Sequence, residues 1–263
     1  MSCDILGPMA SGQRPITGVN RTGRSKEPDL EGENPDMHNE TVVELQKHLA
    51  DAHAQLDQAY DATLNGWLKI LDLRDNETEG HTQRVAAMTV RLGQYLGIDP
   101  QQLVYMSRGA LLHDIGKMAI SDTIMQKPGP LDEEEWAIVR RHPTFAQEIL
   151  SSIPYLKPSL DIPYCHHEKW DGTGYPQGLK GEEIPIAARV FAIVDVWDAL
   201  RSDRPYRNAW PENEVMAYLQ EQSGKHFQPE IVKAFEMMLA ADETPKITVN
   251  NHSVSGTAGL SPL

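Results

Sequence analysis

From Glu40 onward, apolar residues in this chain recur at intervals of three and four, and no stretch alternates convincingly with period two. Three- and four-residue spacing stacks side chains on one face of an α-helix, whereas a half-buried strand needs every second residue. The predicted fold is therefore all-α. The longest such series, Val42, Leu45, Leu49, Ala52, Leu56, Ala59 and Thr63, is a heptad seam with polar residues between its members. A seam of this kind packs on its own domain or on a second copy of the chain. Its small and polar members, Ala52, Ala59 and Thr63, weaken a zipper, and the expectation kept here is a homodimer through this helix.

Stop signals divide the remainder. Residues 79–96 carry Val85, Met88, Leu92 and Leu96 at helical spacing and end at Gly97. Asp99-Pro100 is an N-cap followed by proline at the first helical position, opening a helix that runs to His113-Asp114. Asp132 with Glu135 forms a capping box in which aspartate replaces serine or threonine. The helix it opens is predicted to reach His142, where Pro143 must kink or restart it. Residues 169–185 are rich in glycine and proline and are expected to form a long loop, ordered or mobile. Segments 189–200, 212–223 and 229–240 close the fold as helices. Residues 1–38 are polar and aperiodic and read as a disordered leader, and residues 242–263 as a flexible tail.

Charge narrows the partners. The formal net charge is −14, and an acidic chain repels nucleic acid and anionic lipid at long range. DNA and membrane surfaces are therefore not expected as partners, and an anionic substrate would need a local positive centre. The two cysteines, Cys3 and Cys165, are too few for a disulfide framework or a four-thiolate zinc site, and Cys165 is not counted as a ligand. No apolar run approaches the ~18 residues of a membrane span, and the start of the chain lacks the order of a signal peptide. The chain reads as cytoplasmic.

Five of the ten histidines, His81, His113, His142, His166 and His167, fall in polar islands within the helical segments. Glu77 precedes His81 by four residues, so both side chains share a helix face and can grip one ion. Asp114 follows His113 directly, and its two oxygens can reach two metals. His166 and His167 are adjacent and are expected to serve neighbouring ions rather than one. Asp195 sits in an otherwise apolar helix, where a carboxylate needs a cation or a donor. Imidazole and carboxylate without thiolate suit iron or manganese, and zinc less distinctively. Eight such groups on several helices predict at least two metal ions. Two metals ~3.5–4 Å apart hold a bridging hydroxide and neutralise phosphoryl oxygens in an in-line displacement. Such a pair lets an acidic protein bind a phosphodiester. Lys117, one turn from Asp114, is placed to stabilise or protonate the departing oxygen.

The segments HDIGK (113–117), HHEKWDGTGYP (166–176) and DVWDALRSDRPYR (195–207) resemble the HD-GYP family, metal-dependent cyclic di-GMP phosphodiesterases within the HD phosphohydrolases. The resemblance spans roughly residues 63–239. It implies an HD-type helical bundle, with a phosphodiesterase domain at 63–241 preceded by a coiled-coil-like helix at 39–62. Carried over position by position, the implied metal ligands are Glu77, His81, His113, Asp114, His142, His166, His167 and Asp195, with Asp114 bridging. Glu77 implies room for a third ion, so the expected cofactors are two or three divalent metals, iron first and manganese next. Lys117 and Asp114 would serve catalysis. Lys117, Tyr175, Arg204 and Arg207 would contact substrate, Tyr175 offering a phenol to phosphate or a ring to a base. The implied reaction is hydrolysis of cyclic di-GMP to pGpG, with a further step to GMP left open. Two alternatives stay open beside it: cyclic GMP-AMP or another phosphate ester as substrate, and a non-catalytic cyclic-dinucleotide-binding signalling module. Members of the family commonly carry an upstream sensory domain, where this sequence has the leader and the heptad helix. Regulatory input is expected through that helix from a signalling partner protein, or not at all.

Overall fold

The structure, a computed structural model, describes residues 35–72, 74, 80–203 and 207–243. Most of the predicted leader, most of the predicted tail, Glu77 and Arg204 lie outside the described residues. Among the described residues the secondary structure is helical, with an isolated bridge between Ser223 and Phe227 and no strand. No helix there is long and apolar enough to cross a membrane.

The first helix, α1 (Pro35–Asp72), begins inside the predicted leader and runs unbroken past residue 62. The chain divides into two units at residue 56. Within the first, the seam residues Val42, Leu45, Leu49 and Leu56 are exposed. Within the second, Ala59 and Thr63 are also exposed, whereas Leu64 and Leu68 are buried with Leu112, Ile115, Ala146, Leu150 and Leu156. Burial of each such leucine or isoleucine side chain is worth about 1.5–3 kcal/mol. A polar clamp reinforces this contact. Arg108 donates to Asp57 and Asp61, each at 3.3 Å, and lies 4.3 Å over the Tyr155 ring. Tyr155 stacks on Tyr60 at 3.8 Å and donates its hydroxyl to Asp57 at 2.6 Å.

The bundle continues with α2 (His81–Tyr95), α3 (Pro100–Leu111), a 3₁₀ turn (Ile115–Ala119), α4 (Asp122–Met125), α5 (Glu133–Val139), α6 (His142–Ser151), α7 (Asp161–Cys165), α8 (Ile186–Arg201), α9 (Glu212–Glu221) and α10 (Pro229–Glu243). Helix α8 is the hub: it packs on α2, α7, α9 and α10. It therefore reads as nearly continuously apolar, with Val190, Phe191, Ile193, Val194 and Trp197 all buried.

Local signals place the helix ends. The Asp99 carboxylate accepts from the Gln101 N–H at 2.8 Å, with Pro100 at the first helical position. Asp132 and Glu135 complete both bonds of the capping box at 2.9 Å. The helix they open stops at Val139 rather than His142, and Pro143 restarts the chain as the second residue of α6. At that position its missing N–H has no helical partner to lose. The 3₁₀ turn lies directly against α6. A Cβ on Gly116 would overlap the His142 carbonyl oxygen and stand 2.7 Å from the Ala146 nitrogen, so only glycine fits.

Candidate metal centre

The side chains singled out by the sequence arrive from element ends. His81 is the first residue of α2, His142 is the first of α6, and His113 and Asp114 occupy the turn after α3. His166 and His167 follow α7, and Asp195 projects from the middle of α8. They form two triads, His142–His166–His167 and His81–His113–Asp195, each with its donor atoms within 4.8 Å of one another. Asp114 stands between them. Its Oδ1 is 3.2 Å from His142 Nε2 and 3.9 Å from His166 Nε2, while its Oδ2 is 3.0 Å from His113 Nε2 and 2.7 Å from Lys117 Nζ.

His166 and His167 join one triad, contrary to the expectation that adjacent histidines would face different ions. Helix α7 ends at Cys165, and the two histidines occupy the turn that follows it. Their centroids lie 4.0 Å apart. Cys165 itself is a buried thiol, pushed up to about 12 by burial, and stands outside both triads.

The outer nitrogens of the rings fix what the inner ones can do. His113 Nδ1 bonds the Ala110 carbonyl at 2.9 Å, His142 Nδ1 that of Val139 at 2.8 Å, and His166 Nδ1 that of Ile162 at 3.1 Å. A carbonyl only accepts, so each Nδ1 carries the proton, and each ring in its neutral form turns an Nε2 lone pair inward. His142 and His166 thereby oppose two lone pairs at 3.1 Å. A cation between them relieves that opposition. His81 lies between two carboxylates, its Nδ1 2.7 Å from Asp198 and its Nε2 3.3 Å from Asp195. One ring proton serves one carboxylate, and a cation held by Nε2 and Asp195 would serve the other. The donor set therefore fits divalent metal ions.

The electrostatics agree. Burial, with the neighbouring His113 charge adding to it and Asp114 opposing, lowers His166 to about 3. Burial and the charges of His166 and His142 hold His167 well below the ordinary histidine range, and burial lowers His142. Burial alone would raise the Asp114 carboxyl, but Lys117, His113 and His142 together hold it well below the carboxylate range. Burial likewise opposes Asp195, and His81, His113 and His166 together hold its carboxyl below the usual carboxylate range. At neutral pH His142, His166 and His167 are neutral imidazoles and Asp114 and Asp195 are ionised carboxylates, the states that bind metal. Phe191, with its ring 5.0 Å from His113 and 5.9 Å from His166, forms an apolar wall.

The glycine-rich loop after His167 is ordered. Trp170 and Asp171 donate their N–H groups to the carbonyls of His226 and Lys225 at 3.1 and 2.8 Å. The buried Glu168 carboxylate accepts from the N–H groups of Gln177 and Leu179 at 2.7 and 3.0 Å, closing the loop on itself. Gly174 lies so close to the backbone of residues 167–169 that a Cβ would stand 2.6 Å from the His167 carbonyl oxygen. The Tyr175 ring stacks on His167 at 4.7 Å, and burial together with the Asp114 charge pushes its phenol up to about 12.

Arg207, an expected substrate contact, lies beside the C-terminal end of α8. It donates to the carbonyls of Ala199, Leu200 and Asn208 at 2.7–3.0 Å and closes the C-terminal end of α8. Two acids escaped the sequence reasoning. Glu168 left no signal beyond its place in the loop. Asp198 stands three residues after Asp195 on the same helix face, a spacing that could have been noticed.

The sequence pattern of the HD domain matches residues 67–231. The chain is 39% identical over 191 residues to the 3'3'-cGAMP-specific phosphodiesterase 3 of Vibrio cholerae, covering 72% of this chain and 42% of that protein. It is 41% identical over 182 residues to a cyclic di-GMP phosphodiesterase of Thermotoga maritima, covering 67% and 50%. It is 35% identical over 195 residues to a cyclic di-GMP phosphodiesterase response regulator of Xanthomonas campestris, covering 73% and 52%. The chain thus aligns with about half of the length of these relatives, or less.

Proposed function

The chain belongs to the HD-domain family and carries the motifs of its HD-GYP branch, and from this premise we propose that it is a metal-dependent phosphodiesterase of cyclic dinucleotides. The observation that carries the proposal is the pair of triads with the two oxygens of Asp114 turned toward different members. His142, His166 and His167 with Asp114 Oδ1 would hold one ion, and His81, His113 and Asp195 with Asp114 Oδ2 the other. Glu77 is the candidate ligand of a third. Iron is the first choice of metal and manganese the second, on the nitrogen and oxygen donor set. Divalent ions bound there would neutralise phosphoryl oxygens and make water nucleophilic at neutral pH.

The remaining roles fall to side chains. Lys117, held 2.7 Å from Asp114 and 16% exposed, directs its ammonium toward the departing 3′ oxygen as the P–O3′ bond breaks. Tyr175 keeps its phenolic proton throughout the physiological range and donates to a phosphate oxygen, its ring fixed by His167. The preferred substrate is cyclic di-GMP, cleaved first to pGpG. Cyclic GMP-AMP is the second reading, favoured by relatives of that stated specificity at 39% and 41% identity. Anaerobically prepared protein loaded with iron or manganese, given each dinucleotide side by side, decides the matter. Turnover of cyclic di-GMP with release of pGpG is expected, and failure on both dinucleotides defeats the proposal.

The exposed seam of α1 pairs with a second copy of the chain. Seam leucines left in water along the first unit, Leu45, Leu49 and Leu56, support this reading. Leu49→Glu is expected to convert a dimer into a monomer in sedimentation velocity. A monomeric wild type would rule the pairing out.

A further inference from the structure

We infer that Asp198 is a positioning residue that sets the affinity of the His81–His113–Asp195 triad for its ion, with Arg84 holding Asp198 in place. This rests on the reading of the two triads as metal sites. Three of the ring nitrogens described above lean on main-chain carbonyls, which no substitution can remove. His81 instead leans on a side chain. Its Nδ1 meets Asp198 Oδ2 at 2.7 Å, and Asp198 is only 14% exposed. The other flank of that carboxylate is gripped by the Arg84 fork, Nε to Oδ1 at 2.7 Å and Nη2 to Oδ2 at 2.8 Å. Arg84 Nη2 also reaches Ser202 Oγ at 3.2 Å. Asp195 and Asp198 lie three apart on α8, so one helix face addresses both nitrogens of the same ring.

The arrangement has two physical effects. A carboxylate behind the ring fixes the tautomer that turns the Nε2 lone pair inward, and it raises the electron density at that nitrogen. The bidentate guanidinium holds the carboxylate in one orientation and balances its charge, so the acid need not rotate toward the ion itself. Affinity at this triad is therefore adjustable through residues that touch no ligand atom, whereas two rings of the other triad are braced on main-chain carbonyls.

The test is a manganese titration of the full chain, prepared without metal, followed by equilibrium dialysis with elemental analysis and by electron paramagnetic resonance. Wild type is expected to bind at least two ions. Asp198→Asn is expected to weaken one ion by roughly 10–100-fold, the range for outer partners of metal-bound histidine, and to leave the other at wild-type affinity. Arg84→Gln is expected to weaken the same ion by a smaller factor, and Asp198→Glu to restore part of the loss. A purely structural role would lower the thermal midpoint of the metal-free protein and weaken both ions alike, and that result overturns the inference. Unchanged affinity at both ions in Asp198→Asn overturns it while leaving the metal centre standing. A wild type that binds no ion removes both. If Asp198→Asn does not fold, Arg84→Gln decides: selective weakening of one ion supports the inference, and wild-type binding ends it.

Discussion

The two halves of the metal centre are built by different means. The His142–His166–His167 triad is three imidazoles without a carboxylate, and the main chain orients two of its rings. The His81–His113–Asp195 triad mixes rings with a carboxylate and takes the pose of one ring from a side chain. The first is formally neutral before Asp114 is counted, and the second carries one negative charge. A neutral set fixed by backbone is tied to the integrity of the helix ends. A charged set fixed by an ion pair answers to a single substitution. What the difference teaches is that two neighbouring ions in one pocket need not be held with equal firmness.

Breaking the shared element should have the largest effect. Asp114→Ala is expected to remove both ions and to lower turnover by ~10³-fold or more, since a preorganised charge at the reacting centre is lost. Elemental analysis and steady-state hydrolysis measure the two consequences. Retention of both ions would mean that the triads do not depend on a common carboxylate. Separate removal of each half comes next. His142→Ala should empty the first triad and leave one ion in the second, and His81→Ala should do the reverse. Loss of all metal in either variant would show a single cooperative site and dissolve the comparison. Lys117→Ala is the smallest of the three. Metal content should stay at the wild-type level while kcat falls by ~10²-fold, the lower range for a positioned proton donor. Equal loss of metal and rate would assign Lys117 to support of Asp114 instead.

Much of the fold was legible because its signals are local. A cap is settled within three residues, so Asp99 and Asp132 announced their helices and Pro143 its restart. The convergence of five histidines could be expected from residue type and motif, but their grouping could not. His166 and His167 fall in one triad on the turn after α7, and no periodicity in the sequence marks that turn. Arg207 shows the opposite case. A helix terminus leaves carbonyls without partners, and the Arg207 guanidinium satisfies those of Ala199 and Leu200, a role its motif does not announce. Asp198 was hidden for a third reason. Two acids three apart look alike in sequence, and only the position of the His81 ring says which one meets its inner nitrogen and which its outer.

Gly116 gives the centre its gauge. It is where the turn bearing His113 and Asp114 presses on the first turn of α6, main chain against main chain. Repacking of side chains cannot adjust a separation set in that way. The missing methyl acts as a machinist's shim of zero thickness between two ligand carriers, and any larger residue would drive His142 away from Asp114 before it disturbed the hydrophobic interior.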